Sequence, residues 1–367
     1  MREIQSIHIG QCGNQIGAKF WEVISEEHGI DPSGNYIGES DYQKQKLEVY
    51  YDEIKSNNYS ARAVLVDLES GTIDSICRNK HAKLYKPDNF ISGKNGASNI
   101  WAKGYYKEGY EIIENVLEIV RKEVENCDCL QSFQITHSLG GGTGSGLGSL
   151  ITERLKEEFK DDLISTFTIF PSPKISDIML EPYNSTLSIH QLVDNSNSNM
   201  VIDNEALYNI CNKNLKIKSP TYGDLNHLVA NAMSGVSCST RFPGYNNADT
   251  RKMITNLTPF IRLHFYMLGF APVISRESND YTNLTIPTLT NQLLIGTNIT
   301  NTCNPKNGML MSLSILYRGN NISTGEVEES TLREKNKNTS NFKIGFLIIF
   351  KQVYVIFHKK IQIFQER

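Results

Sequence analysis

The sequence predicts an α/β protein in which a parallel-sheet domain comes first and a second, mixed α/β domain follows. Units of strand, turn and helix recur in the first half of the chain, and this repeat is typical of a parallel sheet flanked by helices. The chain has 367 residues, more than one hydrophobic core usually organises. The pattern changes near residue 204, so we predict domains over 1–205 and 206–342 and a separate tail over 343–367.

Four strands support the first domain. Residues 4–9 predict a short strand, and apolar residues at helical spacing follow from Gln15 to His28. A second strand, 63–66, runs into a polar turn. A third, 133–137, leads to a glycine cluster and then to a helix with one apolar stripe, which should pack on the sheet. A fourth strand is expected over 163–170, where prolines end it.

The second domain has a weaker pattern. Helices are predicted on either side of the loop 219–223, and the runs 263–267 and 310–316 are strand candidates. The tail differs in composition, since it alternates aliphatic and aromatic residues with lysines and has five basic residues against the single acid Glu366. Such a segment is strand-prone and adhesive.

Composition excludes several classes of function. A formal net charge of −3 gives no electrostatic reason to expect nucleic acid as a partner. The seven cysteines form no CxxC pair, which is typical of reduced thiols in the cytosol. The N-terminal region has no apolar stretch of the length that a signal peptide or membrane span requires, so we expect no membrane partner and a location in the cytoplasm.

The strongest local signal is the run Gly140-Gly141-Gly142-Thr143-Gly144-Ser145-Gly146 between a strand and a helix. Glycines let backbone N–H groups approach phosphate oxygens, and the helix N-terminus adds a favourable dipole. The run fits neither the G-x-G-x-x-G dinucleotide fingerprint nor the lysine-bearing P-loop. It therefore predicts a lysine-free phosphate site; a flexible glycine linker is the alternative.

This glycine run resembles the phosphate loop of the tubulin family. Further segments resemble that family in the same order, and the opening residues with 19–25 resemble β-tubulin in particular; the resemblance covers about 1–341. It implies a Rossmann-like GTPase domain, then an intermediate domain that includes the connecting core helix. The other matching segments are 10–15, 66–69, 101–104, 203–208 and 222–227.

The resemblance implies the residues of a GTP/GDP site with Mg²⁺. One set of residues is expected to contact the phosphates, the ribose and the guanine. Glu69 is expected to bind the magnesium ion, which prefers oxygen ligands. The set is Gln11, Cys12, Asn99, Ser138, Gly142, Thr143, Gly144, Asp177, Asn204, Tyr222 and Asn226.

Several of these residues have a simpler interpretation. Asn204 is also suited to cap a helix, Asn226 to be an ordinary surface residue, and Glu69 to be a solvated carboxylate. His137 beside Ser138 suggests nucleophilic catalysis, but without a G-x-S-x-G elbow a packed histidine is the better interpretation.

By resemblance, the function is that of a β-tubulin-like subunit. It binds GTP at an exchangeable site, pairs with α-tubulin and polymerises into the microtubule lattice, so it belongs to the cytoskeleton; folding chaperones are further expected partners. Hydrolysis occurs when the next α subunit docks, and no catalytic residue lies within this chain. The inter-subunit loop is 241–249, which contains Asn247 and Asp249, and Lys252 follows it. A charged lysine cannot take a proton from water, whereas α-tubulins have a glutamate there.

The chain departs from the family at several points. In the segment 93–100, which by resemblance senses the γ-phosphate, Ser98 and Ile100 stand where glycine and asparagine are usual. The expected C-terminal helical domain and acidic tail are absent from the sequence. The alternatives are therefore a truncated, non-assembling GTP-binding paralogue or the product of an incomplete gene model. A dinucleotide-dependent metabolic enzyme ranks last, because the sequence has no fingerprint for it.

Overall fold

The computed structural model describes residues 2–38, 40–176, 178–244, 249–273, 285–304, 307–308, 310–319 and 322–337, with the backbone of 354–355. From residue 63 to residue 209 its strands and α-helices alternate, as predicted. The strands are β1 (Glu3–Ile9), β2 (Tyr51–Lys55), β3 (Asn58–Ala61), β4 (Ala63–Asp67), β5 (Phe90–Ser92), β6 (Leu130–Ser138), β7 (Leu163–Phe170), β8 (Ser198–Asp203), β9 (Phe265–Met267), β10 (Tyr317–Arg318) and β11 (Tyr354–Val355). The helices are α1 (Gly10–His28), α2 (Asp41–Lys44), α3 (Ser70–Cys77), α4 (Glu108–Glu125), α5 (Gly148–Glu158), α6 (Glu181–Asn195), α7 (Asn204–Asn209), α8 (Tyr222–Arg241), α9 (Thr250–Leu257), α10 (Ile286–Leu293) and α11 (Thr324–Lys337).

A seven-stranded sheet forms the centre of the molecule. Its order is β5-β4-β1-β6-β7-β8-β9, and every neighbouring pair is parallel. The prediction of a parallel α/β domain is confirmed. β9 follows the predicted domain boundary in sequence, yet it pairs with β8 as the last strand of this sheet. β2 and β3 form a separate antiparallel hairpin.

Helices cover both faces of the sheet, which is why its strands are buried on both sides. One face packs against α1 and α8 through residues such as Phe20, Trp21 and Leu228. The other packs against α4 and α5 through residues such as Val116 and Leu150. Because both faces are covered, the ends of the strands are where the sheet offers polar loops to a ligand.

Two local predictions differ from the structure. The helix expected from Gln15 begins at Gly10, because a φ of 73° at this glycine turns the chain directly from β1 into α1. The strand expected over 310–316 is wrong: the described residues there are irregular, and the strand is the short β10. A continuous apolar run does not distinguish a strand from packed coil by periodicity alone.

The second α/β region contains α10, α11 and β10, with a small apolar cluster of Ile315, Tyr317 and Val327. Among the described residues, no pair of long helices follows α11. Of the tail, the described backbone of β11 pairs in parallel with β10, Tyr317 opposite Tyr354.

Candidate functional site

The predicted phosphate segments meet at one edge of the sheet. β1, β4, β5 and β6 are parallel neighbours, so their carboxyl ends lie side by side. The turn into α1, the Asp67–Glu69 turn, the loop after β5 and the glycine run after β6 follow these ends. We define the segment 93–101 as the sensor loop and 139–144 as the glycine loop.

The turn into α1 approaches the glycine loop through two residues without side chains. A Cβ on Gly10 would stand 3.1 Å from the Gly144 nitrogen, and one on Gly144 would stand 2.8 Å from the Ser138 carbonyl oxygen. Gln11 is exposed and Cys12 half-buried in the first turn of α1. Burial raises the pKa of the Cys12 thiol to about 12, so the group is neutral at pH 7.

Gly142 joins the glycine loop to the sensor loop. Its N–H donates to the Ser98 carbonyl oxygen at 3.0 Å, so this amide is engaged within the protein. The helical turn that follows, Thr143–Leu147, is a π-turn, a feature frequent at functional sites. First-turn N–H groups have no partner within their helix, so Thr143 and Gly144 are the amides suited to a phosphate.

The sensor loop is strained at Ser98, whose φ is 52°. This left-handed conformation favours glycine, the residue that the family usually has here. We expect Ser98→Gly to stabilise the chain by about 1 kcal/mol, because the backbone strain is relieved. The free energy of unfolding in urea checks this result, with Ser70→Gly, an exposed serine in the first turn of α3, as the control. An unfolding free energy of Ser98→Gly that is no higher than that of the wild type would contradict this expectation.

Two carboxylates follow β4. Glu69 is exposed, and a Cβ on Gly96 would stand 1.9 Å from its Oε1, so the carboxylate lies against the sensor loop. Asp67 is buried at 3% exposure. Burial raises its pKa to about 6, although the Glu69 N–H donates to its Oδ1 at 3.4 Å. Mg²⁺ usually takes one or two carboxylates together with substrate phosphates, and this pair beside the glycine loop fits that ligand set.

The buried Asp67 carboxylate should weaken the unliganded fold at neutral pH. Its pKa in the folded chain lies above the ordinary 3.8, so its ionisation lowers the stability of the fold as pH rises from about 4 to about 6. Above about pH 6 the full loss of stability is present. We expect Asp67→Asn to stabilise the chain at pH 7 by about 1–3 kcal/mol. Thermal unfolding from pH 7 to pH 4 without Mg²⁺ checks this. If Asp67→Asn stabilised the chain equally at pH 7 and at pH 4, the raised pKa assigned to Asp67 would be wrong.

The residues predicted to bind guanine lie on two adjoining helices. Asn204 and Tyr208 are four residues apart on α7, as are Tyr222 and Asn226 on α8, so each pair shares a helix face. Burial and the neighbouring Tyr222 phenol raise the pKa of Tyr208, so the two tyrosines lie close together where the helices adjoin. Tyr222 is 64% exposed and offers its ring for stacking. Asn204 does not cap α7, because the Asp203 side chain does so by accepting from the Glu205 N–H at 2.9 Å.

Sequence reasoning missed residues that hold these loops in place. Asn184, on α6, hydrogen-bonds both the sensor loop and the glycine loop. Gly104 and Gly146 allow the helical segments after the two loops to touch, since a Cβ on either would stand 2.3 Å from a carbonyl oxygen across the contact. His137 is fully buried and its Nδ1 contacts the Gly144 carbonyl oxygen at 2.9 Å, which confirms the packed-histidine interpretation.

The predicted inter-subunit residues lie at the opposite edge of the sheet. Asp249, at the start of α9, forms an ion pair with Arg2, which precedes β1. Arg251 donates to the Asp161 carbonyl oxygen at 2.7 Å, just before β7. Lys252 is exposed on α9. Asp177 and Asn247 lie outside the described residues.

Arg241, which the prediction placed at the start of the inter-subunit loop, belongs to α8 instead. It is the last residue of α8 and is fully buried, with its guanidinium 2.7 Å from the Glu27 carboxylate. Its charge is satisfied within the chain, so it has no group left for a neighbouring subunit.

Comparison with known families agrees with this geometry. The Tubulin/FtsZ family GTPase domain matches residues 3–212, and the tubulin C-terminal domain matches 259–345. None of the helices in the described ranges is both long and apolar enough to cross a membrane. The GTPase-domain match covers more than half of the chain and includes the glycine loop, the sensor loop and both carboxylates. The chain therefore belongs to the tubulin family, a cytoskeletal family, and is a tubulin-like GTP-binding protein.

Proposed function

We propose that this chain is a β-tubulin-like subunit that binds GTP with Mg²⁺ at an exchangeable site, pairs with α-tubulin in the cytoplasm and polymerises into microtubules. The observation that carries the proposal is the position of the two predicted surfaces. The nucleotide loops lie at the carboxyl edge of the sheet and Lys252 beyond its amino edge, with β6, nine residues and about 30 Å long, between them. Opposite surfaces of this kind suit head-to-tail addition, in which one subunit covers the nucleotide of the next.

At the carboxyl edge, the Thr143 and Gly144 amides and the dipole of the following helix would hold the phosphates. Tyr222 would stack on guanine, and the Asn204 and Asn226 amides would read its edge with a donor and an acceptor each. Asp67 and Glu69 would hold the metal ion, which when bound neutralises phosphate charge. The protein's part in phosphoryl transfer is then positioning.

At the amino edge, Lys252 faces the nucleotide of a partner. A charged lysine cannot accept a proton from water, so this chain would cover the GTP of α-tubulin without hydrolysing it. Its own GTP would be cleaved when an α subunit, with a glutamate at that position, docks on the carboxyl edge. Folding chaperones are proposed as further partners, because the chain exposes large apolar residues such as Met179 and Ile261.

The proposal is tested by GTP turnover of the purified chain with and without α-tubulin. We expect the purified chain alone to hydrolyse GTP slowly. On co-assembly with α-tubulin, phosphate should be released from the GTP bound to this chain and not from the GTP bound to α-tubulin. In co-assemblies with Lys252→Glu, the nucleotides of both subunits should be cleaved, whereas Lys252→Gln, which removes the charge without adding a base, should behave as wild type. Robust turnover by the chain alone would overturn the shared-site proposal. GTP binding without sedimentation alongside α-tubulin would favour the non-assembling alternative.

A further inference from the structure

Asn184 connects three elements at the nucleotide edge. It lies in the first turn of α6 and is 3% exposed. Its Nδ2 donates to the Asn99 carbonyl oxygen at 2.8 Å and to the Gly140 carbonyl oxygen at 2.8 Å. Its Oδ1 accepts from the Trp101 N–H at 3.0 Å. Both amide hydrogens and the carbonyl oxygen are therefore used, two on the sensor loop and one on the glycine loop.

The chemistry of these contacts requires a carboxamide. Two partners are carbonyl oxygens and one is an N–H, so the group must donate twice and accept once. An aspartate of the same shape has no donor when ionised and would place its charge against two carbonyl oxygens. An alanine would leave the buried Trp101 N–H and two half-buried carbonyl oxygens without this partner, which is costly.

α6 has few other means of holding its position against the loops. Its buried residues are Asn184, Ser188 and Leu192, so only one of its apolar side chains is buried, and Ile189 and Val193 are partly exposed. The Ser188 hydroxyl donates to the Asn184 carbonyl oxygen within the helix, at 2.8 Å. The hydrogen bonds that the structure describes between α6 and the sensor loop are all made by the Asn184 amide.

We propose that Asn184 is a positioning residue that sets the preference for GTP over GDP. The inference rests on the proposed function and adds that the sensor loop contacts the γ-phosphate, because this loop lies against the Glu69 carboxylate and is hydrogen-bonded to the glycine loop at Gly142. Asn184 fixes Asn99 and Trp101 at the distance from the glycine loop at which a terminal phosphate is contacted. Without this link the diphosphate still meets the Thr143 and Gly144 amides, while the contact to the third phosphate is lost.

The test compares the affinities of Asn184→Asp and Asn184→Ala for GTP and GDP, with Mg²⁺, by isothermal titration calorimetry. We expect GTP affinity to fall about 10- to 100-fold and GDP affinity to fall less than about threefold. Ser188→Ala is the matched control, since Ser188 is buried one turn further on the same face and its hydroxyl donates within the helix and not to either loop. Its affinities for GTP and GDP should both stay at the wild-type value. Equal losses for GTP and GDP, or no loss, would overturn the inference.

A second measurement needs no variant. The Trp101 N–H donates directly to Asn184, so its hydrogen exchange in the wild-type chain should be slower with GTP than with GDP. Identical exchange in the two states would contradict the assigned role, even if the variants fail to fold. Failure of the wild-type chain to bind GTP is a different result, which would refute the proposed function and is visible before any variant is made.

Discussion

Replacing Arg241 with alanine is expected to destabilise the chain by about 3–5 kcal/mol, because the change leaves a buried carboxylate without its main partner. Arg241 is fully buried, and its Nη1 donates to Glu27 at 2.7 Å. Its Nη2 donates to the Ser234 carbonyl oxygen at 2.8 Å, and its Nε to the Ser237 hydroxyl at 3.0 Å. The guanidinium therefore ties the end of α8 to the end of α1.

The same cluster reaches the second α/β region. Arg318, on β10, donates to the other Glu27 oxygen at 3.0 Å, and both guanidinium groups lie over the Phe242 ring. Burial alone would raise the pKa of Glu27, but the two arginines outweigh it and lower the pKa to about 2. A carboxylate with a lowered folded pKa stabilises the fold above its ordinary 4.5, and this contribution is lost as pH falls from there towards 2.

Urea unfolding at pH 7 measures the effect of Arg241→Ala. The matched control is Arg333→Ala, which removes a 58%-exposed arginine paired with Glu329 on α11 and should change stability by less than about 1 kcal/mol. The difference between wild type and Arg241→Ala should also shrink as pH falls below 4.5, because the Glu27 contribution is then lost from the wild type as well. An unfolding free energy no lower than that of the control would refute the assignment.

The sequence was informative where local chemistry decides the structure. Parallel strands end at one edge, so the segments after β1, β4 and β6 could be expected to meet there, and the glycines at 142 and 144 indicated close approach of the backbone to a phosphate. The glycine that the family has in place of Ser98 is likewise explained, since the φ of 52° there is a local property of one residue. These features are determined within a few residues of the chain.

The features that the sequence did not reveal depend on partners far apart in the chain. The interpretation of Arg241 as part of the inter-subunit loop was wrong, and nothing in its local sequence indicated this because its carboxylate partner, Glu27, is 214 residues away. The amide of Asn184 joins loops 85 and 44 residues distant, and an asparagine in a helix carries no signal of such contacts. The membership of β9 in the main sheet was hidden for the same reason, since pairing with β8 is set by packing and not by its own sequence.

Replacing Gly142 with alanine is expected to lower GTP affinity at least about 100-fold, because the added methyl group cannot be accommodated without moving the glycine loop. A Cβ there would stand 2.7 Å from the Ser98 carbonyl oxygen and 2.8 Å from both the Ala97 carbonyl oxygen and the Ile100 nitrogen. All three are backbone atoms, so none can rotate away. The loop must shift, and the Thr143 and Gly144 amides shift with it.

Two further glycines provide the controls for a titration of each variant with GTP and Mg²⁺. At Gly71, in the first turn of α3, an added Cβ meets no atom within 4 Å, so Gly71→Ala should bind GTP as the wild type does. Gly141 is equally open to an added methyl group, yet it lies inside the glycine loop. Because Gly141→Ala creates no clash within the protein, any loss of affinity in this variant reports contact with the nucleotide itself. If Gly142→Ala binds GTP as tightly as Gly71→Ala, the glycine loop does not hold the phosphates, and the site must be sought elsewhere on the sheet edge.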